Sequence, residues 1–408
     1  MSKTTSPLVK RWLYLGVGIF AMLFSGVLYA WSILKIPFKS IFGWSDSALA
    51  FNFTLTMCFF CVGAFVGSLI CKRIGLKPTL IVAAVLVGIG FSLTGFLNAE
   101  LLTLLYFSYA ILAGTGIGIS YNVIISSVTR WFPDRKGLCS GCLMMGFGIS
   151  TLILGNVISL MFENSSIGWE KTYIFLGIVI AVALVIAAFA LRLPDADVIF
   201  PEAKAKKSKA KENFELRDFS TIQMISTFTY WRAFVYIAFI AAVGNSVISF
   251  ARDLVLSVGA APTLATTLVG VLAVCNGMGR IITGAVYDSL GRRVAMISSN
   301  LVTIAAAGMV LLAVQMNSLP LCVVGLCFTG LSYGSCPTVS SAFTASFYGQ
   351  KNFAVNYSIT NFHLIGSSFI ATLCSSLLVS SGGFVLPFIV LLCLSVSALA
   401  LNFSIRKP

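Results

Sequence analysis

The chain has 408 residues, of which 58% are hydrophobic and 10% charged, with a formal net charge of +14. Soluble domains carry about a quarter charged residues, so this composition excludes a soluble globular protein and the nucleic-acid partner that its basicity would otherwise suggest. What remains is an all-α polytopic membrane protein, expected as a multi-pass protein of the cell membrane.

Apolar runs of about 20 residues, each enough to cross a hydrocarbon core of about 30 Å, recur from end to end. They fall at 12–36, 47–71, 78–97, 101–126, 138–162, 170–192, 231–257, 263–287, 294–314, 319–346, 353–379 and 383–403, which predicts twelve transmembrane helices. The first run is too long, and too continuous with the rest of the apolar chain, for a cleaved signal peptide, and is expected to be the first spanning helix. The eleven cysteines are scattered mostly through these runs. The spacings Cys58/Cys61 and Cys139/Cys142 have no histidine or acid nearby and read as small packing residues, without a metal or cofactor.

Lysine and arginine fall mainly on one side. With a cytoplasmic N-terminus, the inside segments collect Lys3, Lys10, Arg11, Lys72, Arg73, Lys77, Arg130, Arg135, Lys136, Arg292, Arg293, Lys351, Arg406 and Lys407, whereas the outside loops keep Lys39 and Lys171. Both termini are therefore expected to be cytoplasmic. Attraction to anionic membrane lipid is a secondary consequence of the same charges.

Composition changes once, at 193–230, where a polar, lysine-rich stretch reads as a cytoplasmic linker between six-helix bundles at 1–192 and 231–408. The two halves repeat one another. GSLICKRIGLK (Gly67 to Lys77) matches GAVYDSLGRR (Gly284 to Arg293) at an offset of about 217, and the segments beginning at Trp131 and Phe347 correspond at about 216.

This arrangement, with Gly284, Asp288, Gly291, Arg292 and Arg293 in the GxxxDxxGRR pattern, resembles the major facilitator superfamily. The resemblance implies a fold of two pseudo-symmetric six-helix bundles that transports by alternating access, and it makes those five residues a conformational latch. The first copy of the motif has Cys71 in place of the acid. RWFPDRKG (Arg130 to Gly137), GVLYAW (Gly26 to Trp31), GTGIGISYN (Gly114 to Asn122) and an arginine in the eighth helix are more specifically similar to the oxalate:formate antiporter branch and its monocarboxylate-transporter relatives.

Apart from helix ends, the ionisable residues in the apolar runs are Lys35, Arg252, Asp253, Arg280 and His363. Arg280 is near the middle of its helix, where a guanidinium costs roughly 2.5–3.5 kcal/mol and cannot be neutralised. It needs a carboxylate ligand, a pairing with Asp253 or backbone carbonyls. Its planar fork of donors suits a carboxylate, and Asn276 lies one turn away on the same face. The resemblance makes Arg280 the substrate-carboxylate residue and places Tyr121, Tyr333, Tyr29, Trp31 and Phe147 at or near cavity aromatics, with Thr329 in place of a tryptophan. It also puts Thr360 where the oxalate:formate antiporters carry a second cation, so one carboxylate is favoured over two. Asn276 occupies the position of the acid in proton-coupled relatives.

His363, the only histidine, is expected one turn beyond Thr360 as a proton site or a substrate hydrogen-bond partner. Asp253 is an alternative proton site, or a local partner of Arg252. Lys35 and Arg252 are expected to snorkel at the membrane interface. Leu28, Met145 and Ser335 are expected to line the apolar side of the site.

The expected function is secondary transport of a short monocarboxylate such as lactate or pyruvate, coupled to a proton, by a functional monomer. The rivals are an oxalate/formate-type exchanger and a membrane sensor that binds a carboxylate without moving it. A membrane enzyme is disfavoured, because no metal cluster, nucleophile with its base or phosphate-binding loop is evident.

Overall fold

The computed structural model describes residues 7–133, 136–194, 218–349 and 351–406, and every regular element among them is a helix. Twelve are long and apolar enough to span a membrane. These are α1 (Lys10–Ser40), α2 (Asp46–Ile74), α3 (Leu76–Thr94), α4 (Leu102–Trp131), α5 (Cys139–Glu163), α6 (Gly168–Ala190), α7 (Phe228–Ser257), α8 (Pro262–Tyr287), α9 (Arg292–Gln315), α10 (Leu319–Tyr348), α11 (Phe353–Ser381) and α12 (Val385–Ser404). Each matches one expected run, so both described chain ends lie on one side, called here the terminus side.

The helices are apolar on several faces, and their differing burial sorts them into inner and outer positions. The most apolar window of α7 is 83% buried, whereas that of α12 is 33% buried. Large side chains on the outer helices, such as Val85, Ile89, Ile178, Phe189, Leu312 and Val396, are exposed, as lipid contact demands.

The expected repeat has a backbone counterpart. α2 ends at Gly75 (φ 88°, ψ 175°) and the α8 segment at Gly291 (φ 82°, ψ 171°), a conformation that is essentially glycine's alone. The glycines of the two matched motifs thus make the same turn.

The stretch expected as linker through residue 230 is ordered near its end. Ser220 and Gln223 form a capping box on the short helix Thr221–Ile225, and α7 begins at Phe228. The Phe219 N–H donates to the Tyr348 carbonyl (3.0 Å), and the Thr221 hydroxyl to Asn356 Oδ1 (2.8 Å), which ties this segment to α10 and α11. The linker lysines, and Asp134 and Arg135 of RWFPDRKG, lie outside the described residues.

Four of the helices are irregular. α1 tightens to a 3₁₀ stretch at Gly26–Ala30, α4 carries a π-helical stretch at Tyr106–Ala113, α7 kinks at Phe250, and α11 breaks at Asn361 and Phe362. Within a membrane such backbone is tolerated where it is buried in protein or lines a cavity.

Candidate functional site

Arg280 is 1% exposed. Its Nε donates to Asn276 Oδ1 at 3.3 Å, one turn away on α8, and its Nη1 donates to the Met144 carbonyl of α5. Its own carbonyl accepts from the Thr338 hydroxyl of α10 at 3.3 Å. Gly334 makes this packing possible, since a methyl group there would run into the Asn276 carbonyl. No carboxylate pairs with Arg280 among the described residues, and its Nη2 has no protein partner there.

Aromatic side chains wall the site. Tyr29 meets Phe147 edge to face (5.2 Å), Phe147 meets Tyr121 (5.2 Å), and Phe60 packs on Tyr121 (5.1 Å). The Tyr29 and Tyr333 hydroxyls are 3.2 Å apart. Tyr333 donates to Asn245 Oδ1 (2.7 Å), so Tyr29 is the donor to Tyr333. Asn245 Nδ2 then donates to Ser367 (2.5 Å) and Ser368 (3.3 Å) of α11. One polar chain therefore links α1, α10, α7 and α11. Asn245 is a functional candidate that the sequence alone does not single out; its signal is an amide placed in α7, the most buried helix.

The remaining expected residues take varied places. Leu28 is buried in the 3₁₀ stretch, and Met145 packs beside Gly277 at the α5–α8 crossing. The Ser335 hydroxyl is committed to the Ser332 carbonyl of its own helix (2.6 Å). Trp31 belongs to the interior of the first six helices, donating to the Leu49 carbonyl and packing on Tyr109. His363 is buried with Nδ1 against the Thr360 carbonyl (2.8 Å) and its ring at the edge of Phe234. No contact among the described residues joins it to Arg280. Thr360 is buried and bonded to the Asn356 carbonyl (2.8 Å) and to Thr344 (3.1 Å).

Lys35 departs from expectation. It does not snorkel to an interface: it is 6% exposed, its Nζ lies 2.9 Å from Asp253 Oδ2, and it donates to the Ser249 carbonyl at 3.2 Å. The kink at Phe250 sits between these two acceptors, so α7 presents a carbonyl and a carboxylate to one ammonium group. Asp253 therefore pairs across to α1 rather than with neighbouring Arg252, whose Nε is buried without a partner. Nearby, Thr54 of α2 donates to the Ser368 carbonyl (2.9 Å) and bonds Thr372 of α11. These contacts join α1 to α7 and α2 to α11 on the side opposite the termini.

The terminus side holds a cavity of about 580 Å³. Lys72, Arg130 and Lys351 line it with Ser126, Thr129 and Tyr287, and no acid appears among its described lining residues. It reaches Gly284 and Thr338, about one helical turn from Arg280. Gly284 is thus a cavity residue. The side chain of Asp288 lies outside the described residues. Arg292 donates to the Ile405 carbonyl (3.3 Å) and lies over Phe347 (5.2 Å), while Arg293 is exposed.

Solved structures share this architecture. A bacterial homolog of the human lysosomal transporter Spinster, inward-facing and unoccupied, superposes over 99% of this chain and 98% of its own with a TM-score of 0.66 at 15% identity. The proton:xylose symporter XylE, bound to 6-bromo-6-deoxy-D-glucose, does so over 98% and 96% with a TM-score of 0.70 at 14% identity. In sequence, the chain is 26% identical to the uncharacterized MFS-type transporter YhjX of Escherichia coli, over 86% of this chain and 83% of that protein. It is 27% identical to the oxalate:formate antiporter of Oxalobacter formigenes, over 86% and 82%. Monocarboxylate transporter 12 of Mus musculus matches at 31% over 36% of this chain and 29% of its own. The family model of the Major Facilitator Superfamily matches residues 13–251 and 234–408, and the chain belongs to that superfamily of membrane transporters.

Proposed function

We propose that this transporter carries short monocarboxylates such as lactate and pyruvate together with a proton, from a single central site exposed alternately to the two sides. The observation that carries the reading is Arg280, a buried guanidinium without a carboxylate partner among the described residues. Removing an ion from water costs several kcal/mol unless a counter-charge compensates, and a planar donor fork fits a carboxylate. Asn276 orients the arginine, while Tyr121, Tyr29 and Phe147 bound the space beside it.

Thr360 argues for one carboxylate per substrate, because its hydroxyl is already committed within the protein. The cations of the terminus-side cavity add a field that draws small anions toward Arg280. Helices α1–α6 and α7–α12 would rock as two bodies, residues 1–192 and 231–408, within a functional monomer whose terminus side is cytoplasmic.

Proton coupling has a physical motive. An anion moved alone works against the membrane potential at about 2.3 kcal/mol per 100 mV, and a proton moving with it removes that cost. Asp253 is our proton-site assignment, because the pairing with Lys35 must break when the opposite side opens. His363 is the alternative site.

The oxalate:formate antiporter relative favours a second reading, exchange of a dicarboxylate for a monocarboxylate. Counterflow in liposomes separates the two. Trans-stimulation of labelled pyruvate by lactate, but not by oxalate, supports the proposal; oxalate-driven exchange independent of pH overturns it.

A further inference from the structure

α11 crosses as two helices, Phe353–Thr360 and His363–Ser381, and Asn361 stands at the break. Tyr357 precedes Asn361 by four residues, so the two side chains stack on one helix face. Both residues are at least 98% buried. The Tyr357 hydroxyl has no hydrogen-bond partner, and neither does Asn361 Nδ2. Tyr121 and Asn361 approach Tyr357 without reaching hydrogen-bond geometry, and Arg280 and Tyr29 lie within electrostatic reach of it.

The other polar atoms of Asn361 are spoken for. Its Oδ1 accepts from the Ser340 hydroxyl (3.5 Å), and its carbonyl accepts from the Cys61 thiol (3.2 Å). Two adjacent neutral donors are therefore left without a protein acceptor, and one of them, Tyr357, lies within electrostatic reach of Arg280. Buried donors are rarely left unmatched. Their chemistry asks for an uncharged oxygen, since a second carboxylate would call for a cation, and the adjacent Thr360 supplies none.

We propose that Tyr357 and Asn361 form the second pole of the substrate site and recognise an oxygen on the carbon next to the carboxylate. The assignment rests on the monocarboxylate reading above. With the carboxylate on Arg280, a 2-hydroxy or 2-oxo group supplies the acceptor that both donors lack. An unsubstituted acid of the same length leaves them unmatched, which disfavours it by roughly tenfold for each lost bond.

The test is competition against labelled lactate uptake in liposomes holding the full chain, with unlabelled lactate, pyruvate and propionate as competitors. Wild type is expected to prefer lactate and pyruvate over propionate by at least tenfold. Tyr357→Phe and Asn361→Ala should each erode that preference about tenfold by weakening lactate while leaving propionate unchanged. Equal competition by propionate in wild type overturns the assignment whatever the variants do, as does an unaltered preference in both variants. Absence of Arg280-dependent uptake of any of the three acids instead overturns the function on which the assignment rests, and the assignment with it.

Discussion

Lys35 of α1 and Asp253 of α7 meet at 2.9 Å, although 218 positions separate them in the chain. The contact joins the first spanning helix of each half on the side away from the termini. Breaking a partly buried pair by removing one partner costs more than breaking an exposed one, which contributes little. Lys35→Ala should therefore loosen this side, while Lys39→Ala, which removes the exposed pairing with Asp46, should not. Hydrogen exchange is expected to quicken severalfold in residues 33–40 and 249–257 of Lys35→Ala only. Unchanged protection there would remove the pair from the seal.

Asp253→Asn keeps the size of the side chain and removes its charge. If Asp253 handles the proton, this variant should lose most of the stimulation of uptake by a pH gradient, by about fivefold or more, while lactate counterflow persists. The same loss in His363→Ala, with Asp253→Asn unaffected, would transfer the role to the histidine.

The crossing of α10 over α8 depends on Gly334, beside the Asn276 carbonyl. Overpacking of this kind costs about 1–3 kcal/mol, so Gly334→Ala should lower the unfolding temperature in detergent by several degrees. Gly16 has no neighbour within 4 Å of an added methyl group, and Gly16→Ala should leave that temperature unchanged or slightly raised.

Tyr333→Phe removes the hydroxyl between Tyr29 and Asn245 and leaves a buried amide oxygen unmatched, at a cost of about 1–3 kcal/mol. Transport should fall about tenfold, and thermal stability should fall with it. Wild-type activity in this variant would show that the α1–α10–α7 chain is dispensable.

The twelve helices were legible because each is an uninterrupted apolar run, and a span needs little else. Arg280 was legible for the complementary reason, as a charge inside such a run. The Gly75 and Gly291 turns were visible through the repeated motif. The partner of Lys35 was not legible, because an ion pair between distant helices leaves no local spacing to read, and a lysine near a helix end reads equally well as an interfacial anchor. Asn245, Tyr357 and Asn361 were missed because a neutral polar residue in an apolar helix looks the same whether its hydrogen bonds are satisfied or not. Only the packed structure separates Ser335, bonded within its own helix, from Tyr357, bonded to nothing.

The most direct test of the central claim is uptake of labelled lactate into liposomes with and without an inward proton gradient, comparing wild type with Arg280→Lys. The gradient should drive accumulation in wild type. Arg280→Lys keeps the charge but loses the donor fork, and is expected to reduce uptake by at least a hundredfold while the protein remains folded. Gradient-driven uptake that survives in Arg280→Lys, or no lactate uptake by wild type, would contradict the account.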